Sequence, residues 1–353
     1  MVDGTKPCPV HLLGSMELAS TEEVFRTVAS LLGERTSRLP DGEIGPKKGW
    51  INSQSKVFER NPAFEKVEWM YRDWRAPDRR RFHFQLRQGA AVPNAAELAP
   101  LGYADWAKDA YELLARLKNE GAIARSARLL IAVPTPYDIL NFAVRAEDRA
   151  AVDPIYEEAL LREIDVIASS LPHDQIAVQW DVAHAFEFIA TNDDKAFYPI
   201  TREDLIRLLV RLGRRVPPSI QLGYHCCYGN GHLKHFVEPT DTGEMVEVMN
   251  GVVTTLGRPV DFVHMPVPQD RSDDAYFAPL ARLRLRPETE FFLGLVHDGD
   301  GLDGALKRAR TAQKVVKNFG IGTECGLAMR TAENVTMLLR LQAEVAARID
   351  RGL

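Results

Sequence analysis

The sequence has few cysteines, no long apolar run and no excess of positive charge, and each shortage excludes a class of protein. Four cysteines in 353 residues are too few for a disulfide-stapled secreted scaffold. No run approaches the ~18 consecutive apolar residues of a membrane-spanning helix, and the start of the chain lacks the apolar core of a secretory signal. A net charge of -5 argues against a nucleic-acid-binding protein, which would carry a basic face. We therefore expect a cytoplasmic protein with no nucleic-acid or membrane partner.

What the sequence does contain is a regular alternation of short apolar runs with longer amphipathic stretches. Hydrophobic residues make up 45% of the chain and charged residues 26%, which is typical of a globular protein with a large core. The eight apolar runs span residues 9–15, 36–43, 128–136, 175–181, 219–225, 260–265, 289–296 and 318–324. Eight buried strands separated by helices predict an α/β fold, a single (β/α)8 TIM barrel over residues 1–353. A doubly wound open sheet is the competing layout, but no glycine-rich phosphate turn follows the first run.

The region between the second and third runs, residues 44–127, is too long to be an ordinary connection. It carries four of the five tryptophans, an alternating segment from Phe82 to Arg87 that is typical of a hairpin strand, and a helical pattern from Tyr103 to Glu120. Segments of this length inside a compact domain are usually lids or contain structure of their own. We therefore predict a long, lid-like insertion between strands 2 and 3 of the barrel.

Polar and metal-binding side chains collect where the predicted strands end. In a barrel, the carboxyl ends of all strands face one pocket. In chain order these ends carry Ser15, Asp41 with Glu43, Thr135, Asp181, His225 with Cys227, His264, His297 with Asp298, and Glu324 with Cys325. Strand ends of random composition would include more apolar residues, so the sequence predicts a polar pocket at this end of the barrel.

His225, Cys227 and Cys325 are the most specific part of this collection. His225 and Cys227 are two residues apart, so in an extended chain their side chains fall on the same face, whereas Cys226 points away. Imidazole and thiolate are zinc ligands, and a catalytic zinc site uses about three protein ligands and keeps one position open. The alternative is that the cysteines are small core residues and His225 is a core histidine. The spacing of the trio and its place at strand ends favour zinc.

Each of the other polar residues at the strand ends could line the pocket or could have a purely structural role. His264 and His297 could line the pocket, as partners of a ligand or as proton carriers, or they could be buried histidines with one hydrogen bond. Asp181 could cap a helix or form an internal salt bridge. Glu43 could be a turn residue beside a glycine.

Five short motifs resemble those of the cobalamin-independent methionine synthase family, within the uroporphyrinogen decarboxylase-like barrels. The two specific ones are His225–Tyr228, which resembles His-Met-Cys-Tyr, and Glu324–Arg330, which resembles Asp-Cys-Gly-Leu-Lys-Thr-Arg. Three shorter ones, similar to Gly-Ser-Phe-Pro, Gly-Glu and Gln-Ile-Asp-Glu-Pro, are Leu13–Met16, Asp41–Glu43 and Val178–Asp181. The resemblance covers most of this chain, but only the C-terminal catalytic barrel of the family.

This resemblance implies methyl transfer to a zinc-bound thiolate, a reaction in which zinc lowers the pKa of the acceptor thiol. The positions that match the family's zinc ligands are His225, Cys227 and Cys325. The positions that match those binding the amino and carboxyl groups of homocysteine are Ser15, Glu43 and Asp181.

Three positions depart from the family's pattern. Pro266 stands where the family has a glutamate as its fourth zinc ligand, and Val182 replaces the acid that follows Asp181. The segment Val133–Tyr137 lacks the tryptophan that stacks on folate. The remaining three-ligand set is similar to that of the related alkyltransferases that act on coenzyme M.

We therefore predict a zinc-dependent methyl- or alkyltransferase whose partners are a small-molecule thiol and a methyl or alkyl donor, and we leave a homodimer open. The alternative is a zinc-dependent lyase or hydrolase in which the open position activates water or a substrate oxygen. A structural zinc protein or metallochaperone is a third reading, although structural sites are usually closed by four ligands. The predicted catalytic residues are His297, Asp181 and His264. The predicted substrate-binding residues are Ser15, Glu43, Asp181 and Thr135.

Overall fold

The structure is a computed structural model that describes residues 7–69, 81–98, 100–191, 200–229, 235 and 237–353. The strands in these ranges are β1 (Arg38–Pro40), β2 (Phe64–Trp69), β3 (Arg81–Leu86), β4 (Arg128–Pro134), β5 (Ile176–Val182), β6 (Gln221–Cys226), β7 (Phe262–Pro266), β8 (Glu290–Val296) and β9 (Gly320–Thr323). Seven of them form a curled parallel sheet in the order β1-β4-β5-β6-β7-β8-β9, and β2 pairs antiparallel with β3. The predicted α/β class with a parallel sheet is thus confirmed.

Helices connect the strands of the sheet. Those in the described ranges are α1 (Thr21–Leu32), α2 (Ser55–Arg60), α3 (Ala95–Leu98), α4 (Tyr103–Asn119), α5 (Pro136–Ala143), α6 (Ala146–Ser170), α7 (His184–Thr191), α8 (Arg202–Arg215), α9 (Gly243–Thr255), α10 (Asp274–Phe277), α11 (Gly301–Gln313) and α12 (Ala332–Asp350). None of these helices combines the length and apolar character needed to cross a membrane.

The strands of the sheet are buried on both faces. Every residue of β5 and of β7 is buried, and six of the seven residues of β4 are buried. Parallel sheets have this pattern because one face packs on helices and the other on the interior of the curled sheet. Phe262 and Phe292 form part of a small interior cluster, and the Arg38 guanidinium lies 4.1 Å from the Phe262 ring centroid. This interior is a packed core.

The first predicted strand, residues 9–15, forms isolated bridges and no regular strand. Val10 bridges to Ile321 in β9, while Ser15 bridges to Gly42, two residues after the end of β1. The segment therefore pairs with one edge strand and with the chain that leaves the other. Gly14, with a φ of 144°, adopts a backbone conformation that interrupts a regular ladder between these two bridges.

The region predicted as a lid-like insertion contains folded elements of its own. The hairpin strand predicted from Phe82 to Arg87 corresponds to β3, and the helix predicted from Tyr103 to Glu120 corresponds to α4. Short helical turns at Gly45–Lys47 and Trp50–Gln54 precede α2. These two turns place Trp50 at the carboxyl end of the sheet, beside the candidate site.

Candidate metal centre and the adjoining cavity

A cavity of about 340 Å³ opens at the carboxyl ends of the strands of the sheet. Its lining is mostly apolar and includes Met16, Trp50 and Phe142. It also includes six of the residues that the sequence predicts for the site, namely Ser15, Glu43, Asp181, His225, Cys227 and Cys325. The prediction that polar strand ends meet in one pocket therefore agrees with the placement of these six side chains.

His225, Cys227 and Cys325 come together at one side of this cavity. One ligand atom of each residue lies within 4.8 Å of those of the other two. The ladder continues one residue beyond β6, because the Cys227 amide donates to the Val182 carbonyl at 2.8 Å. This extended backbone keeps His225 and Cys227 on one face, while Cys226 is buried in the hydrophobic core.

The spacing of the two sulfur atoms fits a tetrahedral zinc ion. The Sγ atoms of Cys227 and Cys325 lie 3.6 Å apart. Two thiolates bound to one tetrahedral zinc at about 2.3 Å each would lie about 3.8 Å apart. Hydrogen bonding to Cys325, together with burial, raises the pKa of the Cys227 thiol well above its usual value when no metal is present. A bound cation would oppose this rise because it stabilises thiolates.

His225 contacts a second histidine behind it. Its Nδ1 lies 2.9 Å from Nδ1 of His264, and Nε2 of His264 lies 3.1 Å from the Thr323 carbonyl oxygen. Burial lowers the pKa of His264 to about 3, and burial and the neighbouring histidines lower that of His225 as well. Both rings are therefore neutral near pH 7, which is the form of imidazole that binds metals.

Glu43 and Asp181 form an acidic pair in the same cavity. Glu43 accepts a hydrogen bond from the Ser15 hydroxyl, and Asp181 accepts bonds from Gln179 Nε2 at 2.8 Å and Trp50 Nε1 at 3.2 Å. Burial raises the pKa of Glu43 to about 7, and burial and the charge of Glu43 raise the pKa of Asp181 to about 8. A positive charge near this pair lowers both pKa values, as the Lys47 ammonium already does in part.

Glu43 and Trp50 have an unusual backbone conformation. Their φ angles are 55° and 52°, and within the described ranges they are the two residues other than glycine with positive φ. Such conformations are costly and cluster at functional sites. The sequence gives no periodic signal for Trp50, whose position depends on a turn that begins at Gly49. The sequence pattern singled out neither Trp50 nor His184, although both line the cavity.

Three predicted residues are absent from the described lining of the cavity: Thr135, His264 and His297. Thr135 caps α5, because its Oγ1 accepts a bond from the Asp138 amide at 3.2 Å and lies 2.6 Å from Oδ2 of Asp138. Asp138 in turn accepts a bond from the His184 amide at 2.6 Å. Thr135 therefore acts as a helix cap, which corrects the expectation that it faces the pocket.

His297 belongs to a buried cluster next to the cysteines. Its Nε2 donates to the Val267 carbonyl at 2.8 Å, and its Nδ1 lies 3.7 Å from Glu324 Oε2. The same carboxylate oxygen lies 3.2 Å from His235 Nε2. Burial alone would lower the pKa of His235, but its bonds to Glu238 and Glu324 raise it to about 10. The cluster thus places a cationic His235 beside the carboxylate that precedes Cys325.

Pro266 stands at the position of the expected fourth ligand, and its backbone makes contacts within the fold. It lies in β7, pairs with Gly294 of β8, and its carbonyl accepts a bond from the Tyr276 hydroxyl at 2.9 Å. Within the described residues, the cluster of potential metal ligands contains His225, Cys227 and Cys325 alone. A zinc ion held by these three donors would keep one tetrahedral position open, as catalytic zinc sites do.

The fold is similar to that of solved structures with a TIM-barrel-like architecture. A B12-independent methionine synthase from Shewanella sp. W3-18-1, solved in complex with selenomethionine, has a TM-score of 0.62 and 14% identity over 98% of both chains. A candidate vitamin-B12-independent methionine synthase from Listeria monocytogenes has a TM-score of 0.56 and 14% identity over 98% of this chain and 99% of its own. A methyltransferase from Methanosarcina mazei has a TM-score of 0.52 and 12% identity, covering 96% of this chain and 94% of its own.

Comparison by sequence gives no further assignment. No protein-family model matches the chain, and no curated protein does. At 12–14% identity, the likeness to the solved structures establishes the fold.

Proposed function

We propose that this protein is a zinc-dependent methyl- or alkyltransferase related to the cobalamin-independent methionine synthases. The observation that carries the proposal is the approach of His225, Cys227 and Cys325 to within 4.8 Å at one end of a cavity that Glu43 and Asp181 also line. The neighbours of similar fold are a methionine synthase and a methyltransferase, which supports methyl transfer as the reaction class.

The residues of the site divide into a metal-binding side and a substrate-binding side. His225, Cys227 and Cys325 would hold zinc, which lowers the pKa of a coordinated thiol and so supplies a nucleophilic sulfur near neutral pH. Glu43 and Asp181 would bind the ammonium group of the acceptor. Such a two-point attachment fixes the distance between the sulfur and the ammonium group of the substrate.

An acceptor with an amino-acid head group suits this cavity. The Shewanella methionine synthase was solved with selenomethionine, a ligand that bears an ammonium group. In the present chain the Ser15 hydroxyl bonds to Glu43, and the Trp50 indole N–H bonds to Asp181. Both donors would hold the carboxyl groups in place and favour their ionised forms when the ammonium group binds.

We also propose that residues 9–15 serve as the eighth strand of a (β/α)8 barrel. Their bridges to Ile321 and Gly42 support this, because the segment then joins the two edges of the seven-stranded sheet.

All four cysteines are free thiols. A site with two thiol ligands suits a reducing compartment such as the cytoplasm.

Metal analysis and X-ray absorption test the proposal. We expect one zinc per chain in the purified protein and its loss in Cys227→Ser, whereas Cys226→Ala keeps the metal because Cys226 lies outside the trio. Adding homocysteine should produce one further zinc–sulfur contact, and 2-mercaptoethanol, which lacks the ammonium group, should do so only at much higher concentration. Absence of stoichiometric zinc, with Cys227→Ser unchanged, would contradict the proposal.

A zinc-dependent lyase or hydrolase is the second candidate. Pro266 in place of a fourth ligand favours it, because the position left open could hold water or a substrate oxygen as well as sulfur. The same absorption measurement separates the two candidates. A zinc centre that keeps its ligand set unchanged in the presence of every thiol tested would favour the second.

A further inference from the structure

His264 lies between the proposed ligand His225 and the strand that leads to Cys325. Its Nδ1 is 2.9 Å from Nδ1 of His225, and its Nε2 is 3.1 Å from the Thr323 carbonyl oxygen. The Thr323 hydroxyl donates to the Cys325 carbonyl at 2.8 Å. Through the carbonyl and the hydroxyl of Thr323, these hydrogen bonds connect the backbone of Cys325 to the ring of His225.

The direction of these bonds follows from the chemistry of the groups. A carbonyl oxygen can only accept, so Nε2 of His264 carries the hydrogen. A neutral imidazole has one N–H, so Nδ1 of His264 accepts and Nδ1 of His225 donates to it. A doubly protonated His264 would be a fully buried cation between an imidazole and a carbonyl, which desolvation disfavours. His225 is therefore left with its lone pair on Nε2.

The fold leaves space for the His264 ring on the two strands beside it. A Cβ atom at Gly294 in β8 would lie 3.0 Å from Cε1 of His264, and one at Gly322 in β9 would lie 3.3 Å from its Nε2. Larger side chains at either position would push the ring away from the Thr323 carbonyl. The position of His264 is thus fixed by its hydrogen bonds and by two glycines.

We propose that His264 is a positioning residue that holds His225 in the tautomer with a metal-binding Nε2, by accepting the hydrogen on Nδ1. This rests on the proposed zinc function. Histidine ligands usually donate their second N–H to a carboxylate or a carbonyl, and loss of that partner typically weakens metal binding about 10- to 100-fold. Here a second imidazole takes the place of the carboxylate or carbonyl.

Two substitutions at His264 separate positioning from packing. His264→Phe keeps a ring and removes the acceptor, so zinc affinity, measured by competition with a chelator, should fall about 10- to 100-fold. His264→Asn retains an acceptor oxygen near the position of Nδ1, so its affinity should stay within about tenfold of wild type. Cys226→Ala, a change at a buried side chain that is neither a proposed ligand nor a partner of His225, is the control and should leave zinc affinity unchanged.

Two spectroscopic readouts complete the test. In the metal-free protein, the nitrogen-15 NMR signals of His225 should show hydrogen on Nδ1 in wild type and lose that preference in His264→Phe. X-ray absorption of the zinc protein should show one imidazole ligand. Equal zinc affinity in wild type and His264→Phe, or two imidazole ligands, would overturn the positioning role. If wild type binds no zinc, the proposed function fails, and the NMR tautomer alone then decides whether His264 controls His225.

Discussion

The sulfur atoms of Cys227 and Cys325 lie 3.6 Å apart although 98 residues separate them in the sequence. Cys227 follows β6 and Cys325 follows β9, and two strands stand between these in the sheet. In a flat sheet, three strand spacings would hold the two chains about 14 Å apart. The contact therefore depends on the curl of the sheet, so the cluster of His225, Cys227 and Cys325 is a product of the fold as a whole.

The first prediction concerns oxidation of the two thiols. In metal-free protein, diamide should join Cys227 to Cys325, because their sulfurs need to approach only from 3.6 Å to about 2.0 Å. The oxidation removes one hydrogen from each thiol, which intact mass spectrometry detects as the loss of two hydrogen masses. Zinc should protect the pair. Cys226→Ala should oxidise like wild type, and Cys325→Ser should give no internal disulfide; a disulfide in Cys325→Ser would contradict the pairing.

The second prediction concerns Trp50. Trp50→Phe keeps an aromatic ring but removes the N–H that lies 3.2 Å from Asp181 Oδ2. Loss of one such bond costs about 1 kcal/mol, or about a fivefold weaker binding of an ammonium-bearing thiol. Isothermal titration calorimetry measures this change. Trp106→Phe, the same substitution in α4, should leave the affinity for the thiol unchanged. An equal loss of affinity in both variants would show that the bond from Trp50 to Asp181 does not contribute to binding.

The third prediction concerns the dependence of stability on pH. The raised pKa of Asp181, about 8 against an ordinary 3.8, means that the folded state holds a proton that the unfolded state has lost. The contribution of Asp181 to the free energy of unfolding therefore falls as pH rises from about 4 to about 8, by at most about 1.4 kcal/mol per pH unit. Asp181→Asn should flatten this slope in urea titrations. Asp105→Asn, an exposed acid in α4, should keep the wild-type slope.

The fourth prediction concerns the glycines next to His264. A Cβ atom at Gly294 would lie 2.7 Å from the Glu324 Cα and from the Thr323 carbonyl oxygen, so Gly294→Ala forces two strands apart. Overpacking of this kind costs typically about 1–3 kcal/mol. At Gly326 the nearest atoms to an added Cβ are those of Ser15 at 3.4 Å, an ordinary contact. Thermal unfolding should therefore show a lower Tm for Gly294→Ala and nearly wild-type behaviour for Gly326→Ala.

The sequence predicted β4 to β8 and the grouping of His225, Cys227 and Cys325 because these depend on local patterns and on a simple rule of sheet geometry. Apolar runs of five to seven residues mark β4 to β8, and residues two apart on a strand share a face, as His225 and Cys227 do. The rule that strand ends meet at one edge then brought Cys325 into the same group.

The errors have equally specific causes. Thr135 follows a strand, but Thr135-Pro136-Tyr137-Asp138 is also a helix-start pattern, and the hydrogen bonds follow that pattern. His264, for which a place in the pocket and a buried place were both left open, is fully buried beside His225 in the register of β6 and β7. Trp50 reaches the cavity through a turn with two successive positive φ angles, which no apolar period encodes.

Val10 pairs with Ile321 and Met16 pairs with Leu327, so these contacts form only after the last strand has been synthesised. On the ribosome, His225 and Cys227 emerge about 100 residues before their third partner, because Cys325 lies 98 residues after Cys227. A nascent chain that ends before β9 therefore contains two of the three donors, and its sheet lacks the last strand. If the proposed zinc function holds, high-affinity zinc binding should begin only after residue 325 has left the exit tunnel.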